Sequence, residues 1–214
     1  MRESIVSKGR NPASRFAAAG LLVAVLLVAQ SAHAILQSAD LITVGDGLIT
    51  FDTDTNLEWL DVTETVGLSY NDIVLGGAGG YTALGFVFAN ETQVATLWAN
   101  AGIVDTTGAP GTVLNRPGVD LLLGMMGCTF NCGGNQGHQA QSEFDPAQAA
   151  LLNPLLQQAG GGVGIADLVS FTNNDRDFSS ATLGNYLVRP VPEPTTALLM
   201  IGGLVGLVWV GRRA

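Results

Sequence analysis

Two apolar runs, 16–29 and 197–210, bracket this chain, and basic residues stand on the outer side of each. A membrane reads both runs, so only the stretch between them is left to build a core. Arg2, Lys8, Arg10 and Arg15 precede the first run, and Ala32, His33 and Ala34 then place small residues at the spacing a signal peptidase needs. This is the order of n-region, h-region and A-x-A site, so 1–34 is expected to be a signal peptide cut after Ala34. An uncut first membrane helix is the alternative, disfavoured by how short the run is. The second run carries no charge from Ala197 to Val210. As a helix over 195–211 it would cover about 25 Å, a little short of a ~30 Å hydrocarbon core, a deficit that snorkelling arginines and local thinning can absorb. Arg212 and Arg213 form a basic end that belongs on the cytoplasmic side, which leaves the preceding residues outside.

The stretch 35–190 suffices for one domain with a real core and is too short for two comfortable ones. Between Ile35 and Val191 there are 16 acidic residues against Arg116, Arg176 and Arg189, with no lysine, a formal charge of −13 where the whole chain carries −9. Such a surface offers nothing to neutralise phosphates, so nucleic acid is excluded as a partner, and so is docking on anionic headgroups. It could take up divalent cations.

Within this stretch, turn punctuation falls at Gly45, Asp46 and Gly47, at 76–80 and at 160–162, with no internal repeat. Leu41–Val44, Leu48–Phe51 and Leu57–Asp61 read as short strands. Ser69 with Asp72 three positions on is a capping-box pattern that opens a short helix over Tyr70–Leu75. Asn90 with Gln93 repeats the pattern, Val94, Leu97, Trp98 and Ala101 make one apolar face, and Gly102 stops the helix. Downstream, Leu121–Met126 reads as a buried strand, and Asp145 with Pro146 opens a helix that Pro154 kinks or breaks. Ile165–Phe171 and Thr182–Val188 read as two arms of a closing pair. The expected fold class is α+β, a single extracytoplasmic domain of short, mostly antiparallel strands and two or three helices.

At the C-terminus Pro192 and Pro194 flank Glu193 and deny the backbone a helix, presenting an extended strip just outside the bilayer. Val191, Pro192, Glu193 and Pro194, the apolar run and the Arg212–Arg213 pair together resemble the PEP-CTERM sorting signal of Gram-negative bacteria. The match covers 191–214, divided into motif 191–194, membrane helix 195–211 and basic end 212–213. The resemblance implies a protein held in the inner membrane on its periplasmic side until an exosortase cuts near the motif. It also implies an endpoint at the cell surface or in the biofilm matrix, with exopolysaccharide as a partner. A permanent C-terminal anchor is the plainer alternative. The stretch Gly47–Gly102 is similar to an uncharacterised module of exported bacterial proteins, whose element order resembles C-type-lectin-like folds.

Asp52, Asp54 and Asn56 have the alternating oxygen donors of a calcium loop. Leu57 and Thr63 then stand where an EF-hand needs glycine and glutamate, so a polar hairpin turn is preferred. Asp175 and Asp177 raise the same question, with charge pairing to Arg176 as the default. Calcium is therefore the one cofactor with candidates, and none is required. Cys128 and Cys132, the only cysteines, sit in a glycine-rich loop of an exported domain and are expected to form a disulfide. Zinc would need His138 plus a carboxylate at an unusual spacing. Trp59, Trp98 and Tyr81 could stack sugars, although Trp98 lies on an apolar helix face.

Once the signal is removed, His138 is the sole histidine, and no Gly-x-Ser-x-Gly, His-Glu-x-x-His or Gly-x-x-x-x-Gly-Lys pattern is present. No enzyme is expected. The leading expectation is a non-enzymatic surface or exopolysaccharide-matrix protein with carbohydrate as its ligand class. The alternative is a secreted polysaccharide hydrolase working through paired carboxylates.

Overall fold

The computed structural model of the chain describes residues 36–145, 150–169, 172–173 and 175–191, of Asp145 and Asn173 the backbone alone. The expected signal peptide and the sorting tail from Pro192 onward lie outside the described residues. Among the described residues, no helix is long and apolar enough to cross a membrane.

In chain order the strands are β1 (Leu36–Ala39), β2 (Ile49–Asp52), β3 (Leu57–Leu60), β4 (Val87–Phe88), β5 (Gly137–Asp145), β6 (Ala150–Leu152), β7 (Leu155–Ala159), β8 (Val163–Asp167), β9 (Thr172–Asn173), β10 (Leu183–Asn185) and β11 (Leu187–Pro190). The helices are α1 (Tyr70–Val74), α2 (Glu91–Asn100) and α3 (Arg116–Met126). One sheet has the order β1-β2-β3-β11-β4 and is antiparallel throughout. The other has the order β8-β7-β5-β6-β9, with β10 lying parallel to β5. The fold is α+β with short, mostly antiparallel strands.

β10 and β11 are two halves of one path that changes sheets at Tyr186. Its N–H donates to the Gln141 carbonyl at 2.8 Å in one sheet, and its carbonyl accepts from Ala89 N–H at 2.9 Å beside the other. Side-chain alternation then sorts the core. Trp59 and Val188, opposite one another in register, face a main core shared with Val94, Leu97 and Trp98 of α2 and Val119, Leu122 and Met126 of α3. Their neighbours Leu60 and Leu187 face a second cluster with Ile49, Phe86 and Phe88.

Both capping boxes form. Ser69 is paired reciprocally with Asp72, and Asn90 with Gln93, before α1 and α2 respectively. Elsewhere the expectations need correction. Residues 41–44 form a turn, because the carboxylate of Asp46 collects the N–H groups of Leu41, Ile42 and Thr43 at 2.8–3.1 Å. Residues 121–126 belong to α3, whose buried Val119, Leu122, Leu123 and Met126 repeat at helical spacing behind Pro117 in the first turn. Gly118 permits the close approach this requires, since a Cβ there would lie 2.7 Å from the Ala101 carbonyl.

The leucines expected in a kinked helix are β6 and β7. Asn153 and Pro154 interrupt a strand that otherwise follows β5, where Leu151, Leu152 and Leu156 are buried by tertiary pairing. The expected closing pair also fails. β8 pairs with β7, while β10 and β11 pair with β5 and with β3 and β4.

Candidate functional site

The end of the described chain is where structure and sequence signal meet. Asp52 and Leu57 close the β2–β3 hairpin, leaving a four-residue turn, 53–56. Asp52 Oδ1 accepts from Asp54 N–H at 3.1 Å, an Asx-type turn, and Asn56 adopts φ of 56°, a left-handed conformation that asparagine tolerates better than most residues. That conformation brings Asn56 to Val191. Its Nδ2 donates to the Val191 carbonyl at 2.9 Å, and Val191 N–H donates back to the Asn56 carbonyl at 3.1 Å.

Two positions upstream, Arg189 lies opposite Glu58 across the β3–β11 ladder. Its Nε contacts Glu58 Oε2 at 2.6 Å, its Nη1 donates to the Leu84 carbonyl at 3.0 Å, and its guanidinium lies 4.6 Å from the centre of the Phe86 ring. Glu58, Leu84, Gly85, Arg189, Pro190 and Val191 bound a surface groove of about 380 Å³ along this exit. Of the sorting residues, Val191 alone is described. Pro192, Glu193, Pro194, Arg212 and Arg213, like Ala32 and Ala34 of the cleavage site, lie outside the described residues.

Of the calcium candidates, Asp52, Asn56, Asp175 and Asp177 take protein partners, whereas Asp54 contributes only its N–H to the turn. Asp52 is fully buried, and its Oδ2 accepts from Asn100 Nδ2 at 2.8 Å. Asn56 is committed to Val191 as above. Asp175 Oδ1 accepts from Asp177 N–H at 2.9 Å, and Asp177 Oδ1 accepts from Asn71 Nδ2 at 2.8 Å. Among the described residues, no three histidine, cysteine or acidic side chains converge as a metal site would require. Beside this loop Arg176 lies 4.1 Å over the Tyr70 ring and 4.0 Å from Glu143, which also accepts from the Tyr70 hydroxyl at 2.9 Å. Burial, and then the Glu143 carboxylate, push the Tyr70 hydroxyl above its ordinary pKa. Phe178, two positions on from Arg176 in the same loop, is exposed.

Cys128 and Cys132 form a disulfide with Cα atoms 5.7 Å apart. His138, weighed as a zinc ligand, is fully buried and engaged at both ring nitrogens. Nδ1 lies 3.1 Å from the Gly127 carbonyl and Nε2 lies 2.7 Å from the Tyr186 hydroxyl, which also receives Trp98 Nε1–H at 3.2 Å. The geometry sets the tautomer. A carbonyl can only accept, so Nδ1 carries the proton, and Nε2 accepts from Tyr186. Burial lowers the His138 pKa to about 4 and raises that of Tyr186.

Trp59 and Trp98 are fully buried and Tyr81 is 7% exposed, so none of the three can stack a sugar, and that expectation is corrected. The Asn56 clamp was not foreseen. Its one sequence trace is an asparagine closing a hairpin turn that contains no glycine.

No curated protein matches the chain, and no solved structure does, so the lectin-like likeness is without a matching fold. The described residues run to Val191, and the sorting signal begins within the last described strand, at Pro190. Residues 190–213 match the PEP-CTERM protein-sorting motif, which implies export, membrane-anchored sorting and processing by an exosortase.

Proposed function

We propose that this chain is a non-enzymatic component of the cell surface or exopolysaccharide matrix, delivered there by exosortase processing of its tail, with carbohydrate as its ligand class. The observation that carries the reading is the position of the motif. It starts at the last strand of a domain whose −13 charge suits an extracytoplasmic, soluble body. The absence of an enzymatic role is supported by His138, which is sealed in the core with both nitrogens engaged and cannot serve an exposed substrate as a base. For carbohydrate, the surface of suitable chemistry is the edge formed by Glu143, Arg176, Asp177 and Phe178, which offers acceptors, a guanidinium donor and an exposed ring.

The test is cell fractionation of the full chain in hosts with and without an exosortase, followed by a glycan array on the released product with and without calcium. Release that depends on the exosortase, with sugar binding and no turnover, is expected. Release of reducing ends from a bound polysaccharide would replace this reading with the hydrolase.

A further inference from the structure

Val191 is the last residue before the two prolines of the sorting motif, and both of its main-chain polar groups are bonded to Asn56. The residues before it are held as well. Val188, Arg189 and Pro190 are in register with Trp59, Glu58 and Leu57 of β3, and Arg189 is tied to Glu58 and to the Leu84 carbonyl. A protease binds its substrate as extended chain, with main-chain groups free to pair with the enzyme. Val188–Pro190 are committed to β3 and Val191 to the hairpin turn, so the stretch just before Pro192 does not offer itself while that turn holds. On the other side, only five residues, 192–196, separate Val191 from the apolar run that begins at Ala197. Fully extended, that chain reaches at most about 21 Å from Val191 to Ala197. A membrane-embedded enzyme therefore has little chain to grip, and whether Val191 is held or released decides how much.

We propose that Asn56 is a positioning residue for the sorting reaction: by clamping Val191 it keeps the chain paired up to the residue before Pro192 and so limits where and how fast the exosortase can engage it. The proposal rests on the sorting reading above. Asn56 suits the task for a stated reason, since its left-handed φ of 56° aims the side-chain amide back at Val191. Glycine keeps that backbone conformation and removes the amide donor, so Asn56→Gly loses the side-chain half of the clamp while the turn and the bond from Val191 N–H to the carbonyl of residue 56 stay.

The experiment compares full-length wild type, Asn56→Gly and Val94→Ala in a host carrying an exosortase. Each is made with and without a four-residue Gly-Ser spacer between Val191 and Pro192. Trimming rate is followed by pulse-chase, and the new C-terminus is read by mass spectrometry. Wild type is expected to give no terminus N-terminal to Val191. Asn56→Gly is expected to be trimmed faster, by a factor on the order of five for one lost hydrogen bond, and to add termini within 187–191. Val94→Ala loosens the core without touching the exit and is expected to leave rate and terminus unchanged. The spacer supplies free chain and is expected to abolish the difference between Asn56→Gly and wild type. Equal rates and termini for Asn56→Gly and wild type without the spacer overturn the proposal. So does an equal acceleration by Val94→Ala, or an Asn56→Gly effect that survives the spacer. Wild type left untrimmed overturns the sorting reading, and the proposal with it.

Discussion

His138 donates from Nδ1 to the Gly127 carbonyl and accepts at Nε2 from Tyr186, so a second proton on the ring would have to displace the Tyr186 hydroxyl proton and would place a charge in the buried core. The folded chain keeps the ring neutral down to about pH 4, whereas the unfolded chain protonates it near 6.5. Across that window the unfolded state binds more protons, so stability must fall as pH drops through it, by roughly 3 kcal/mol in total. Urea midpoints measured from pH 7 to pH 4 should show this slope in wild type and a shallower one in His138→Gln. Equal slopes would mean that His138 is reached by water. The same network sets the cost of Tyr186→Phe, which strands Trp98 Nε1 and His138 Nε2 in the core and should lower stability by about 1–3 kcal/mol, read from the same denaturation curves. The Cys128–Cys132 bridge closes a short loop, so reducing it should cost only about 2 kcal/mol. A thiol titration of the unreduced, unfolded protein should find no free thiol.

At the level of elements, local chemistry was legible in the sequence where one stretch of chain decides its own conformation. Ser69 with Asp72, and Asn90 with Gln93, announce α1 and α2 because the capping partners are three residues apart and need nothing else. The buried stripe of Val94, Leu97 and Trp98 follows from the same periodicity. Replacing Leu97 by Asp should therefore unfold the domain, and Gln93→Ala should remove one reciprocal bond at a cost of about 1 kcal/mol, both read by thermal denaturation. An unchanged midpoint for Leu97→Asp would contradict the placement of α2. Residues 150–159 were misread because their leucines suit a helix locally and become strand only through pairing with β5. The start of α3 was missed because its helical spacing begins at Val119, in the turn behind Pro117. The sheet change at Tyr186 was not legible at all, since its partners Gln141 and Ala89 are remote in sequence and carry no motif. Of the candidate site, the sorting motif was readable as an ordered local pattern. The grip of Asn56 on Val191 joins positions 135 residues apart and was not.

At the scale of the whole molecule, the two sheets share one path through β10 and β11, and that path leads directly to the sorting motif. Gly184 marks how tightly it is set, because a Cβ there would clash with the Val62 carbonyl. Pro190 and Val191 belong both to the paired edge of the sheet and to the motif match, so the signal opens on chain that the domain itself holds. The PEP-CTERM motif implies processing of the exported domain by an exosortase. A fractionated immunoblot for the domain in an exosortase-carrying host tests this, comparing wild type with a variant in which Pro192, Glu193 and Pro194 are replaced by alanine. Wild type should be trimmed and released, while the variant should stay full-length apart from its signal peptide and remain in the inner membrane. Release of the variant in trimmed form as efficiently as wild type would contradict it.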